Sequence, residues 1–156
     1  MATTYDNIYD IFMSITHVDE IYYPQTEVGI KRLIRNGIRI YNQKMFANLK
    51  WDDNKEIVYD EEKVNIETTY IEIPDTDPIE YETEEKVVYE DLENSHVSLI
   101  AECMKLITFK NMESDFISTY STYSKEMGIK DYKAQLDGKM ALVKNQEKEI
   151  ESIVFS

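Results

Sequence analysis

The residues of this chain best suited to chemistry with a charged partner are Lys31, Arg32, Arg35 and Arg39. Steps of one, three and four residues gather them on one side of a helix. Arg32, Arg35 and Arg39 are also the only arginines among 156 residues. A guanidinium keeps its charge and grips a carboxylate through parallel hydrogen bonds. This side is therefore either a docking surface for carboxylates or a solvated helix face. Carboxylates are plentiful later in the chain, where Asp75, Asp77, Glu80, Glu82, Glu84 and Glu85 lie close together.

Signatures of catalysis are thin. His17 and His96 are far apart, and each lacks Cys, His or acidic neighbours at metal-ligand spacing. His96, beside Ser95 at a helix start, reads as a first-turn residue. Asp75-Thr-Asp77 and Asp52-Asp53-Asn54 are able to touch a divalent cation, but neither has the ligand spacing of a calcium loop, so both read as surface turns. With four glycines there is no phosphate-cradling loop. Cys103 is the one cysteine, and its place in an apolar stretch makes it a small buried hydrophobe in a reducing compartment. Nothing here calls for a catalytic residue, a metal or a cofactor.

Charge is distributed unevenly. Residues 51–93 hold seventeen acids and three lysines, a net charge of −14, while the remainder holds fourteen of each sign. The whole imbalance of the chain lies in this segment. Such acidity disfavours contacts with nucleic-acid phosphates or an anionic membrane. The first ten residues lack the basic and apolar regions of a signal peptide, and no apolar run reaches membrane-spanning length, so a cytoplasmic site of synthesis and use is expected.

The elements that position these groups follow from hydrophobic spacing. Val97, Ile100, Ala101, Met104 and Ile107 share one helix face, which Leu99, Leu106 and Phe109 widen. A helix from Ser95 to Lys110 that is apolar around so much of its circumference must be covered on several sides, which makes it the central core helix. Around it the spacing predicts a short helix over Tyr5–Ile15 after a Thr3 or Thr4 cap. A loop through Pro24 follows, then a helix from Glu27 to about Phe46. Within that last helix, Gly37 on the apolar face suggests close approach of another backbone. Helix continues through Asn111–Ser124, with a kink or new cap at Ser114 and Asp115. A break at Gly128 then precedes a long terminal helix over Lys130–Val154, striped by Leu136, Met140, Val143, Ile150 and Val154 with Glu147 on the same seam.

Between these helices, Ile57–Tyr59, Val64–Ile73 and Ile79–Tyr89 are rich in β-branched and tyrosine residues, and Pro74-Asp-Thr-Asp-Pro78 supplies a turn. The expected fold is mainly α: a helical bundle with a long C-terminal helix and an inserted acidic β-hairpin or small β-sheet. The organisation is a single domain made of N-terminal helices (1–50), an acidic β-rich insertion (51–93), and the central and C-terminal helices (94–156). An isolated hairpin is marginal in water, so this one needs a neighbour.

Three segments, Tyr9-Asp-Ile-Phe-Met-Ser-Ile-Thr16, Leu99-Ile-Ala-Glu-Cys-Met-Lys-Leu106 and Tyr123-Ser-Lys-Glu-Met-Gly-Ile-Lys-Asp-Tyr132 with the helix after it, resemble head-to-tail adaptor (connector) proteins of tailed bacteriophages. The resemblance is one of pattern and order over the helical parts, and the acidic insertion departs from it. It implies a non-enzymatic virion protein in the neck, assembled in the host cytoplasm as a homo-oligomeric, dodecameric ring under the portal protein. Such a ring extends the DNA channel, lets DNA pass without specific binding, and seats the tail or the next neck protein. A ring needs a heterologous interface. Lys31, Arg32, Arg35 and Arg39 of one copy facing Asp75, Asp77, Glu80, Glu82, Glu84 and Glu85 of the next would supply one. On that reading, reversing the three arginines weakens assembly and leaves the monomer folded. The alternative is a small acidic inhibitor, a DNA mimic that blocks a DNA-binding protein. A metal-dependent hydrolase using acids of the insertion stands behind both.

Overall fold

The computed structural model describes residues 2–120 and 128–155. Its first element is a two-residue strand, β1 (Thr3–Thr4), which turns directly into helix α1 (Tyr5–Ile15). Thr4 makes that turn possible because its extended backbone leaves the side chain free to accept a 3.2 Å hydrogen bond from the Asn7 amide. A loop with one 3-10 turn (Glu20–Tyr22) leads to Thr26, which caps α2 (Glu27–Met45) by accepting from the Gly29 amide at 3.1 Å. Phe46 ends α2 in the left-handed region, φ 51°.

Two short strands, β2 (Leu49–Asp52) and β3 (Ile57–Asp60), then form an antiparallel hairpin, and β1 pairs with the other edge of β3 to give the order β1-β3-β2. After a further 3-10 turn (Glu61–Lys63) come β4 (Asn65–Glu72) and β5 (Tyr81–Val88), an antiparallel ribbon whose register pairs Asn65 with Val88 and Glu72 with Tyr81. The chain closes with α3 (Asn94–Tyr120) and α4 (Ile129–Val154).

Helix α3 is the centre. It packs against α1, α2 and α4, and Val97, Leu99, Ile100, Ala101, Cys103, Met104 and Leu106 are all buried. Ile8 and Phe12 of α1, Ile34 and Ile38 of α2, and Ile150 of α4 close around them with no exposed surface. The small sheet joins the same core through Leu49 and Val58. A mainly helical bundle with a long C-terminal helix and an inserted small sheet is thus the fold.

Three details depart from the sequence expectation. Helix α3 runs unbroken through Ser114 and Asp115 to Tyr120, because Met112 and Phe116 continue its buried face; Tyr123 and Ser124 lie outside the described residues. The seam of α4 is Val143, Gln146 and Ile150, whereas Met140 is half exposed. Gln146 belongs inside because its amide donates to the Glu102 carbonyl at 3.0 Å and to the Glu102 carboxylate at 2.6 Å. And the strands β1 and β2 were not foreseen. β2 begins at Leu49, so the first part of the 51–93 segment belongs to the core sheet and only β4 and β5 stand away from the helices.

Gly37 sits where α2 and α3 come closest. A Cβ placed there would lie 3.4 Å from the Ile100 carbonyl oxygen and 2.6 Å from Cγ of Met104, itself fully buried. The close backbone approach inferred from a glycine on an apolar face is therefore present. Gly37→Ala gains about 1 kcal/mol of helix propensity but overpacks this contact, at a cost typically about 1–3 kcal/mol. A net loss of stability in urea denaturation, with helical circular dichroism retained, is the expected result. A stabilised variant would mean that Met104 has room to withdraw.

Candidate functional site: an internal clamp and an acidic arm

The basic side of α2 finds its carboxylates within the same chain. Lys31 and Arg35, one helical turn apart, both reach the turn between β2 and β3. Arg35 Nη1 lies 2.5 Å from Asp53 Oδ2. Lys31 Nζ lies 3.3 Å from Glu56 Oε1 and donates to the Asp53 carbonyl at 3.3 Å. The other Asp53 oxygen accepts from the buried Tyr5 hydroxyl at 2.7 Å. Asp53 thus clamps the start of α1, the middle of α2 and the sheet turn together. The turn is shaped for this: Asp52 Oδ1 accepts from the amides of Asn54 and Lys55 at 2.9 and 3.1 Å, and Glu56 takes φ 56°. The Tyr5 amide donates to the Glu56 carbonyl at 2.8 Å.

The hydrogen bond from Tyr5, and the charge and hydrogen bond of Arg35 beside it, hold the Asp53 carboxyl below its ordinary range. Burial, then the same bond, pushes the Tyr5 phenol above its own. Of the remaining cations, Arg39 lies over the Trp51 ring, 5.3 Å from its centre, and donates to Asn36 at 2.6 Å. Arg32 is exposed and forms no ion pair with any described residue. The expected carboxylate grip is real for Lys31 and Arg35, but it operates inside the molecule.

The acidic group lies elsewhere. Asp75, Asp77, Glu80, Glu82, Glu84 and Glu85 are all exposed on the β4–β5 arm or its tip, and none pairs with a described cation. At the tip the local hydrogen bonds belong to Thr76, whose hydroxyl donates to the Ile73 carbonyl and accepts from the Glu80 amide, both at 3.0 Å. Asp75, at φ 62°, and Asp77 flank it without joining these bonds. Among the described residues no group of three or more His, Cys, Asp and Glu is placed to hold a metal ion. The arm is rooted by Tyr89, whose ring packs 4.7 Å from that of Tyr59 and carries Lys55 Nζ at 5.1 Å.

Beside that root lies a depression of about 540 Å³, lined in part by Tyr41, Phe46, Asp60, Lys63, Leu92 and His96. His96 is fixed there by a 2.6 Å hydrogen bond between its Nδ1 and the Tyr41 hydroxyl, and Glu93 lies 3.5 Å from its Nε2. Burial pushes the Cys103 thiol up to about 12, so it stays protonated and inert within the core. His17 is exposed. No described helix is long and apolar enough to cross a membrane.

A family profile described as "YomZ prophage protein" matches residues 1–73 and 64–156, which together span the chain. The chain belongs to that family. It is similar to the SPbeta prophage-derived uncharacterized protein YomZ of Bacillus subtilis (strain 168), at 24% identity over 154 residues that cover 99% of this chain and 95% of that protein. No solved structure matches. This YomZ-family chain is therefore prophage-associated, and the two matched segments overlap within residues 64–73, inside the arm.

Tyr5 and Asp53 were not singled out as partners in the sequence of this YomZ-family chain. Nothing in a tyrosine at position 5 signals a bond to residue 53, since the two meet only after the sheet forms. Arg35→Ala should cost about 1 kcal/mol, whereas Arg32→Ala should stay within about 0.5 kcal/mol. Equal effects in chemical denaturation would remove the clamp. Because the Asp53 value is depressed on folding, its contribution is present at neutral pH and is lost as pH falls below about 4 toward the depressed value. Asp53→Asn should therefore flatten the fall of stability over that window. An unchanged acid limb would show that Asp53 is not held as described.

Proposed function

We propose that this YomZ-family protein is a structural, non-enzymatic subunit of the phage neck, one of a ring of copies beneath the portal that joins capsid to tail. The observation that carries this reading is the division between a body that closes its own core and an arm lying wholly outside it, the anatomy of a part made to touch other parts. A family of prophage proteins and the helical order quoted for the adaptor resemblance support it. So do the flanks of the buried seam of α4, where Met140 on one side and Leu142 on the other remain exposed and are suited to packing against a neighbouring copy. The portal on one side and a tail or further neck protein on the other would be its partners, with DNA passing through.

Engagement of Lys31 and Arg35 inside the chain changes the expected interface. Lateral contacts fall to α4 and Arg32 rather than to the whole basic helix. The inhibitor reading keeps one observation in its favour, since Glu80, Glu82 and Glu84 project from one side of the arm at steps of roughly 6.8 Å, a regular negative array.

Electron microscopy and peptide mass spectrometry of purified phage particles distinguish the two. A symmetric ring of this chain between portal and tail is expected. Absence from particles, with the chain recovered as a monomer or dimer on a DNA-binding protein, would replace the neck reading with the inhibitor.

A further inference from the structure

The register of β4 and β5 gives the arm two unlike faces. Pairs directly opposite share a face, so Ile66 with Val87, Tyr70 with Thr83, and Tyr81 with Glu72 fall on one side. Ile66, Tyr70, Tyr81 and Val87 are 64%, 68%, 59% and 46% exposed. Large apolar and aromatic side chains on a sheet face ordinarily have something over them, and a two-stranded ribbon is marginal without it. No described part of the chain covers this face: across β4 and β5 every residue is exposed except Val88, which is half-buried.

We propose that the apolar face of the arm is a docking surface for a different protein, one that presents an apolar patch rimmed by lysine and arginine. Charge decides the occupant. Between Asn65 and Val88 there are eight acids and one lysine, a net charge of −7. Two arms brought face to face would set −7 against −7, which excludes a second copy's arm. The body of a second copy is no better suited. Outside residues 51–93 its acids and bases balance, and its Lys31 and Arg35 already hold Glu56 and Asp53. Nucleic acid is excluded by the same charge. A basic protein surface satisfies both halves of the arm at once. Its apolar centre covers Tyr70 and Tyr81, amphipathic rings of the kind that anchor interfaces, while its rim meets Glu72, Glu85 and the acids of the tip. The proposal does not rest on the neck reading, because an arm partner outside the virion would leave the docking surface standing and remove the ring.

The test introduces the photo-crosslinking residue p-benzoylphenylalanine at Tyr70 or at Tyr81 in the full chain, in cells producing phage. Ile21, 75% exposed on the body, serves as the control position. Both arm positions are expected to give adducts with one and the same second protein, through a peptide rich in Lys and Arg, and Ile21 none with it. Adding Glu72→Lys and Glu85→Lys, the strand acids that share the face with Tyr70 and Tyr81, should reduce those adducts roughly tenfold or more, with helical circular dichroism unchanged because the arm lies outside the core. Adducts of the chain with itself alone, adducts formed as readily from Ile21, adducts with nucleic acid, or none while particles form normally would each overturn the proposal.

Discussion

The structure depends on the need to enclose α3. A helix apolar around most of its circumference cannot stand at a surface, so α1, α2 and α4 are each recruited to cover a part of it. The covering is tightest at Gly37, where the absence of a side chain lets α2 settle against the Ile100 carbonyl and Met104. Once α2 is so placed, its opposite side, with Lys31 and Arg35, is aimed at the sheet. Asp53 then completes a triangle with Arg35 and Tyr5 that fixes the sheet turn to two helices. The root of the arm hangs on that sheet through Tyr59 and Tyr89. A packing demand in the centre is thus transmitted outward to the orientation of the most acidic segment.

Charge has two different uses in one molecule. Near the clamp, acids and bases are few, close and partly sheltered, so each has a definite partner and a structural role. On the arm they are many, solvated and, Lys86 apart, of one sign, and such mutual repulsion disfavours pairing of the ribbon's two open edges with another copy. The two populations sit on neighbouring stretches of sequence, which is why residues 51–93 looked like one acidic insertion. Burial separates them: Ile57 and Val58 go into the core, while Ile66 and Ile71 do not.

Helices were legible in the sequence because their signal is local. The threonine cap of α1, which falls on Thr4, the period of the apolar residues and the break at Gly128 are each read within a few positions, and all stand in the structure. The hairpin turn between Pro74 and Pro78 was legible for the same reason. What escaped was non-local. β1 has two residues and no pattern of its own, existing only because β3 offers an edge. The partner of Arg35 was sought on another molecule because no spacing rule connects positions 35 and 53. Met140 kept a period of three and four along α4 but is turned to the edge of the seam made by Val143, Gln146 and Ile150, although α3 meets α4 on both sides of it, at Phe116 with Tyr132 and at Glu102 with Gln146, a matter of how two long helices meet rather than of either sequence.

Asn65 and Val88 are directly opposite each other in the ribbon, so the chain leaves the body and returns to it at nearly the same place. The arm is in that sense a closed excursion. Residues added or removed in opposed pairs would alter its reach without displacing any atom of the core, provided the count preserves which side chains share a face. Reach can then vary among related chains by simple insertion and deletion while the helices stay under a separate and stricter constraint, and the overlap of the two family matches falls within this segment.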